Sequence, residues 1–317
     1  MIHAFALEPQ LVAGWGRQSE YRFMRGAFGL GAPRVLLALP KFNKWKRDVL
    51  RATEALSLTA IELKRIQELL SLFQAHNCRR VDAVYDGLLT WLENAEREYD
   101  RKNFKGIIAS ANPREHRGVL VSEGLEPGDL RWDCPRGASP ARTPEALAAV
   151  LTPMLLNCRV LHLVDPYFGK HGHRKVLTKL MQVIADNEIV LDEVKVHCAA
   201  RGATCSYFEE EVAKMIPHLS ENTTVSFVRW EERAGRDKLH NRYVLTDLGG
   251  IALGIGLDSG DTGQTDDLLL LPREQYQHRW KQYVMDDGTF EKFDTPAPIR
   301  GRRPSGGQRR NRRSPHR

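Results

Sequence analysis

Apolar runs of strand length alternate with runs of helical periodicity between residues 159 and 257, and this order limits the possible folds. Arg159 to Asp165 has the pattern of a buried strand, and His173 to Ala185 carries apolar residues at helical spacing. A second strand and an amphipathic helix follow at 190–198 and 205–219, and three β-rich runs end the series at 223–230, 239–246 and 251–257. A β-α-β-α-β-β-β order predicts an α/β domain with a mixed, largely parallel sheet flanked by helices.

The run from His240 to Asp247 combines an imidazole, a guanidinium and a carboxylate on one of these predicted strands. Because side chains alternate between the faces of a strand, we expect His240 and Arg242 to project together while Tyr243 and Leu245 enter a core. A neutral imidazole can attack phosphorus, and a planar guanidinium holds a phosphate with two hydrogen bonds. The residues therefore predict a phosphate-handling site. Asp247 lies about 20 Å along the strand from His240, so it meets the site only if the chain bends.

The spacing H-x-[KR]-x4-D resembles the HKD motif of the phospholipase D superfamily, with Arg242 in place of the usual lysine. Members of that superfamily cleave phosphodiesters in lipids or nucleic acids through a phosphohistidine and without a metal. The resemblance implies that His240 is the nucleophile, Arg242 the phosphate clamp and Asp247 the residue that orients a histidine. The chain has one copy of the motif, and single-motif nucleases obtain their second histidine by dimerising. An active chain is therefore expected to be a homodimer.

A second resemblance covers residues 140 to 285. The run Leu239 to Tyr243, the pair Gly249-Gly250 and the run Gly254 to Asp258 look like the phospholipase-D-like domain found C-terminal to microtubule-interacting and trafficking domains. Eukaryotic members of that group are regarded as binders of phosphoinositides or membranes, not as enzymes. This resemblance implies an alternative function, a catalytically inactive module that binds phosphate groups of anionic lipids or nucleic acid.

Six further residues are substrate-binding candidates. Two follow a predicted parallel strand, where α/β sheets place ligands, and two lie at the N-terminus of the next helix, where anions bind. The last two occupy the place where the superfamily carries a Gly-Ser-x-Asn that braces the phosphate. In chain order they are Asp165, Tyr167, His171, His173, Asp258 and Ser259.

Composition divides the chain into three segments. Residues 1–140 predict a helix-rich α/β domain of unknown role, with one strand at 34–39 before Lys44 and a capping box of Thr59 and Glu62 at the start of a helix. The stretch 111–142 is rich in Pro, Gly and Arg and marks the boundary to the phospholipase-D-like domain, 141–290. Thr143 and Pro144 begin a helix there.

Residues 291–317 predict a disordered, basic tail. Residues 300–317 contain eight arginines and no acidic residue, so without them the formal charge of +7 becomes about −1. A segment with few apolar residues does not fold, and arginines attract polyanions without sequence preference. The tail therefore favours nucleic acid, DNA or RNA, as the partner, with an anionic membrane as the alternative.

No cofactor or metal site is expected. The five cysteines are scattered without zinc spacing, and Asp266 and Asp267 indicate a surface turn before a strand. The chain has no membrane-spanning apolar run and no secretory signal at its start, so we expect it in the cytoplasm.

Three functional hypotheses follow from these patterns. The first is a metal-independent phosphodiesterase, a nuclease, with a role in bacterial antiviral defence against foreign DNA. The second is the inactive phosphate-binding module. The third is a structural role, in which the motif residues brace the sheet and the N-terminal domain carries the activity.

Overall fold

The computed structural model describes residues 1–78, 84–101, 104–125, 128–169, 171–214, 219 and 223–301 of the 317-residue chain. Within these residues the chain forms two β-sheets with helices packed on them, so the predicted α/β class is confirmed. No helix among the described residues is long and apolar enough to cross a bilayer.

The first sheet has five strands in the order β3-β2-β1-β4-β5, and every neighbouring pair is parallel. Its strands β1 to β5 are His3–Leu7, Arg34–Leu37, Asn77–Cys78, Gly106–Ala109 and Val119–Val121. Five α-helices, α1 to α5, lie between them in sequence: Pro9–Ala13, Gln18–Ala27, Phe42–Glu54, Ala60–Ala75 and Trp91–Arg101. A 3₁₀ turn, Ser122–Gly124, follows the last strand.

The N-terminal segment is more regular than predicted. The sequence predicted loops and one strand before Lys44, yet β1 is the central strand of the sheet, and α1 and α2 follow it. Phe5 and Leu7 of β1 are fully buried, because parallel neighbours and helices cover both faces of such a strand. The capping box is present as predicted: the Thr59 hydroxyl accepts from the Glu62 amide, and the Glu62 carboxylate accepts from the Thr59 amide at 2.8 Å.

The second sheet is mixed. Its strands β6 to β14 are Gly137–Ala138, Val160–Val164, Glu193–Ala199, Thr224–Glu232, Arg242–Thr246, Gly249–Leu253, Leu268–Leu270, Phe290–Asp294 and Ile299–Arg300. The order is β13-β9-β8-β7-β10-β11-β12-β6, with β14 also on β9. The three strands β7, β8 and β9 are mutually parallel, whereas the pairs that flank them on both sides are antiparallel. The parallel part of this sheet is therefore limited to its middle.

Helices cover both faces of the second sheet. They are α6, α7 and α8 at Pro144–Leu155, His171–Asp186 and Arg273–Tyr283, together with a π-helical segment, Tyr207–Val212. Thr143 caps α6 as predicted, since its hydroxyl accepts from the Ala146 amide at 3.2 Å. One hydrophobic cluster contains residues of α6, α7 and the first sheet, and a second one lies between the strands and α8.

The two sheets share packing. The buried residues of the first cluster run without a break from Phe5 in β1 to Leu163 in β7. A hydrogen bond also joins the segments beside them: the Arg136 guanidinium, just before β6, donates to the Gly31 carbonyl, before β2, at 2.8 Å. The division at residue 140 remains a prediction about folding units.

The predicted disordered tail, 291–317, begins too early in the chain, because strands continue beyond residue 291. Instead of a disordered segment from residue 291, β13 and β14 pair with β9, with Ile299 opposite Val225. Phe290 is buried at the end of β9, which explains why the chain stays on the sheet at this point. Residues 302–317, with seven of the eight arginines, lie outside the described residues.

Candidate functional site

The predicted site residues meet at the carboxyl end of β7. Strand β10 runs antiparallel to β7 with Tyr243 opposite Val164, which brings Arg242 beside Asp165. The sequence predicted a strand from residue 239, but β10 begins at Arg242 and His240 lies in the preceding turn. Buried Leu239 anchors that turn, and its amide donates to the Glu232 carboxylate at 3.0 Å.

Tyr167 joins the imidazole and the guanidinium. Its hydroxyl lies 3.3 Å from His240 Nδ1, and the guanidinium carbon of Arg242 lies 4.7 Å from the centre of its ring. A cation over an aromatic face is attracted by the ring quadrupole, so Tyr167 holds Arg242 as well as His240. His240 is exposed, and a bond at Nδ1 leaves Nε2 available to a substrate.

Buried Asp165 fixes the position of Tyr167. Its carboxylate accepts from the amides of Tyr167 and Leu257, both at 3.0 Å, and lies 3.2 Å from His173 Nε2. Burial raises the pKa of Asp165, but the bonds from His173 and the two amides outweigh this effect and lower the pKa below its ordinary value. Asp165 therefore stays ionised and serves as an anchor, not as a direct ligand.

His173 does not reach the surface. The sequence suggested substrate contact at the start of α7, but the side chain is 2 % exposed and packs at 5.2 Å, centre to centre, on the Phe168 ring. It acts on the site only through Asp165. The side chain of His171, the other candidate on this helix, lies outside the described residues.

Arg242 carries a buried polar atom without a partner. Within the described part of the chain, its Nε has no hydrogen-bond acceptor. Gly256 lies against it: a Cβ there would be 2.7 Å from an Asp165 oxygen and 3.6 Å from Arg242 Nε. The backbone of Gly256 has φ of +143°, which favours glycine. An unsatisfied buried N–H is costly, and the oxygen of a bound anion would supply the missing acceptor.

The glycine-rich loop after β11 does not offer its amides to a ligand. Asp266 is buried and accepts from the amides of Ile255 and Gly256 at 2.8 and 3.2 Å, while Asp165 takes the amide of Leu257. The interpretation of Asp266 as part of a surface turn is wrong, because this carboxylate holds the loop from inside. In the sequence Asp266 is the first of two acidic residues that precede the strand starting at Leu268, and no local signal separates it from exposed Asp267.

Asp258 and Ser259 are not at the phosphate position that the resemblance implied. The Arg142 guanidinium binds the Asp258 carboxylate, and Ser259 packs against Gly172 in the first turn of α7. Both residues lock the loop onto neighbouring elements. Their expected substrate role has no support in this geometry.

Asp247 lies at the other end of β10. Its carboxylate accepts from the backbone amides of Arg159 and Val160 at 2.8 and 3.1 Å, where β7 begins. Strand geometry separates it from Arg242 by about 17 Å. The structure thus brings Asp165, Tyr167, His240 and Arg242 together and leaves Asp247 out.

Among the described residues, no cluster of three His, Cys, Asp or Glu side chains has the geometry of a metal site. No protein-family model matches the sequence, and no curated protein matches it. The solved structures to which the chain is similar include two of known description. A phospholipase D family member, Nuc from Salmonella typhimurium, has 6% identity and a TM-score of 0.34, covering 50% of this chain and 97% of its own. TrmBL2, an archaeal chromatin protein, has 10% identity and a TM-score of 0.27, covering 79% of this chain and 82% of its own. At these TM-scores neither similarity decides the family.

Proposed function

We propose that the chain binds a phosphodiester group between His240 and Arg242 and hydrolyses it without a metal when two copies associate. The observation that carries this proposal is the contact of both side chains with Tyr167. The phenol bonds one imidazole nitrogen and leaves the other free, while its ring supports the guanidinium. An oriented imidazole beside a fixed cation is the arrangement that in-line attack on phosphorus needs.

The proposed reaction has two steps. In the first, Nε2 of neutral His240 attacks phosphorus, the bond to the leaving oxygen breaks, and Nδ1–H donates to the Tyr167 oxygen. Arg242 balances the charge on the non-bridging oxygens, and its unpaired Nε gains an acceptor. In the second step, water attacks phosphorus, the P–N bond breaks, and His240 is regenerated.

Both steps need a second imidazole, which protonates the leaving oxygen and then activates the water. Among the described residues that line the cleft at His240, there is one histidine, His240 itself. A two-fold dimer would place the same histidine of a second copy on the far side of the phosphate. Activity and dimerisation are therefore one proposal.

We propose nucleic acid as the substrate because of the arginine-rich end of the sequence. Eight arginines between residues 300 and 317 raise the local concentration of any polyanion without selecting a sequence. Defence against foreign DNA in the cytoplasm is the setting that we propose for such an activity.

A second candidate function is recognition without hydrolysis. The position of Asp247 favours it, since no carboxylate of the motif reaches His240 to stabilise the imidazolium that forms on attack. The pairing of Asp258 with Arg142 favours it too, because the loop residue that would brace the phosphate is already engaged.

One experiment tests both candidates. Cleavage and binding of labelled DNA and RNA are measured in excess EDTA with the full chain, with His240→Ala, and with His116→Gln as a control in the loop between β4 and β5. Cleavage that survives EDTA and His116→Gln, and is lost in His240→Ala, supports hydrolysis. Binding without cleavage that depends on His240 supports the second candidate, and binding that is indifferent to His240 contradicts both.

Sedimentation velocity adds the dimer test. An active wild-type chain should sediment as a dimer at the concentrations at which it cleaves. A strictly monomeric chain with full activity contradicts both proposed steps, because one imidazole cannot serve both faces of the phosphate.

A further inference from the structure

A cleft of about 650 Å³ opens beside His240 and Tyr167. Three cations and two carboxylates line it, namely Arg201, Lys238, Arg279, Glu232 and Asp237. The formal charge of the cleft is therefore positive by one. Where that charge resides decides which part of a substrate the cleft can hold.

Two of the cations are neutralised by partners within the cleft. Lys238 lies 2.9 Å from the Glu232 carboxylate, and Arg279 lies 3.0 Å from that of Asp237. Asp237 also accepts from the Gln282 amide at 2.8 Å, so its geometry is fixed. A cation that already pairs with a carboxylate gains little from a second anion.

Arg201 carries the remaining charge. Its side chain is exposed and forms no hydrogen bond or ion pair with any described residue. It acts at a distance on Glu232, where it is the weakest of the influences that lower the pKa of that carboxyl, behind the bonds from Lys238 and the Leu239 amide. The guanidinium thus keeps all of its donors for a ligand.

The backbone at Arg201 is held beside the site. The turn that contains it follows β8, and the Ala199 amide donates to the Pro166 carbonyl at 3.1 Å in the turn that follows β7. The Ala200 amide donates to the Trp230 carbonyl at 2.8 Å. These bonds fix the turn of Arg201 relative to Tyr167, so the free cation and the proposed phosphate site form one surface at the carboxyl ends of parallel strands.

We propose that Arg201 binds a second phosphate of the strand whose neighbouring phosphate lies between His240 and Arg242. This inference rests on the function proposed above and narrows its substrate to a polynucleotide with consecutive phosphates. The carboxylates Glu232 and Asp237 in the same cleft favour a strand, which meets cations at discrete points, over a continuous anionic lipid surface.

The test compares probes with one phosphate and with several. The probes are a thymidine dinucleotide and a longer thymidine oligonucleotide, both with phosphorothioate linkages that resist hydrolysis and keep the charge. Binding is measured by fluorescence anisotropy over a range of salt concentrations for the full chain, Arg201→Gln and the control Arg47→Gln. Arg47 is an exposed arginine of α3 that forms no hydrogen bond with any residue the structure describes.

Arg201→Gln should weaken binding of the oligonucleotide about tenfold, as loss of one charge-assisted contact does. It should reduce the slope of log K against log salt by about 0.7, the value for one phosphate of a single strand. Binding of the dinucleotide should not change, and Arg47→Gln should behave as the wild type with both probes.

Equal effects of Arg201→Gln on the two probes, or none on either, would overturn the inference. If His240→Ala weakens both probes while Arg201→Gln weakens neither, the inference fails and the proposed function stands. If His240→Ala binds both probes with the same affinity as the wild type, the proposed function fails as well. Vesicles of phosphatidylserine form a further arm, and loss of vesicle binding in Arg201→Gln without loss of oligonucleotide binding would assign this cation to a lipid surface instead.

Discussion

Acid should unfold the second sheet through a buried pair of histidines below the site. Trp230 Nε1 donates to His197 Nδ1 at 3.0 Å, and His197 Nε2 lies 2.8 Å from His162 Nδ1. His162 Nε2 in turn lies 2.6 Å from the Glu193 carboxylate, which Lys195 also contacts. Because the indole can only donate, both rings must be neutral with the proton on Nε2, and each ring then donates to the next acceptor.

The magnitude follows from the burial of His162, which is 0 % exposed. Burial lowers its pKa from 6.5 to about 4, against the opposing effect of Glu193. Since the unfolded chain takes up the proton near pH 6.5 and the folded chain near pH 4, stability is complete above pH 6.5 and falls as the pH drops from 6.5 to 4. At about 1.4 kcal/mol per pKa unit, His162 alone removes about 3 kcal/mol over that window.

His197 adds to the loss with the same sign, because full burial lowers its pKa well below 6.5. The charged groups that face the pair are Glu193, Lys195 and Lys292. Asp165 acts in a different window: its pKa is lowered, so its contribution is present above pH 3.8 and is lost only below that value. The two effects can be separated by pH.

The assay is urea unfolding at a series of pH values, followed by tryptophan fluorescence, because Trp230 and Trp280 lie beside the two rings. His162→Gln keeps a donor for Glu193 and an acceptor for His197 but cannot take up a proton. Its unfolding free energy should lose about 3 kcal/mol less than that of the wild type between pH 6.5 and 4.

His3→Gln is a parallel test in the first sheet. Burial lowers the pKa of His3 from 6.5 to about 3, so this variant should also lose less stability than the wild type between pH 6.5 and 4, and the difference should keep growing down to about pH 3. Curves for His162→Gln and the wild type that run parallel from pH 6.5 to 4 would refute the reasoning.

Three further predictions concern the site. Tyr167→Phe removes the hydrogen bond to His240 but keeps the ring under Arg242. The kcat of phosphodiester cleavage should fall about tenfold while the melting temperature stays the same. An unchanged rate would contradict the positioning role of Tyr167. Asp247→Ala leaves the backbone amides of Arg159 and Val160 without an acceptor. The free energy of unfolding in urea should fall by about 1–3 kcal/mol, and phosphate binding should not change. Loss of phosphate binding at unchanged stability would show that Asp247 does act at the site. Gly256→Ala places a methyl group against Asp165 at a residue with positive φ. It should lower the free energy of unfolding by about 2 kcal/mol or more and weaken phosphate binding. A variant with wild-type stability would contradict the tight packing of that loop.

Periodicity predicted the second sheet well and the first sheet poorly, for a physical reason. The strands β7 and β8 and the helix α7 were found because long runs with one period leave a clear signal. β1 was missed, since five residues buried on both faces show no alternation and a short apolar run has no period to detect. The same argument applies to Phe290 and the residues after it, whose pairing with β9 is a long-range event that no local pattern marks.

The reacting groups of the site could be predicted from the sequence, but the residues that position them could not. His240 and Arg242 stand out by chemistry, and Asp165 and Tyr167 by their place after a strand, so all four could be named from the sequence. The partners that position them are set by which turns meet in space. Asp266, Gly256 and the Leu257 amide come together only when β7, β10, β11 and β12 are paired in register.

Spacing in a motif specifies a role only if the backbone between the residues is the same. In this chain β10 pairs with β7 in an unbroken register, so Arg242 lies beside the end of β7 and Asp247 beside its start. A carboxylate at position 247 therefore closes the far end of the strand on the amides of β7, and the atom that holds the histidine must come from another element. The phenol of Tyr167 occupies that position. Tyr167 keeps His240 oriented in place of a carboxylate, but a neutral phenol stabilises an imidazolium less than a carboxylate does. The phosphorylated form of His240 should therefore be short-lived or rarely formed. Replacing Tyr167 by an acid is then the change that should move this site toward faster formation of the intermediate. Trapping of phosphohistidine in alkali-quenched Tyr167→Glu and wild-type reactions measures it directly, because the P–N bond is stable in base.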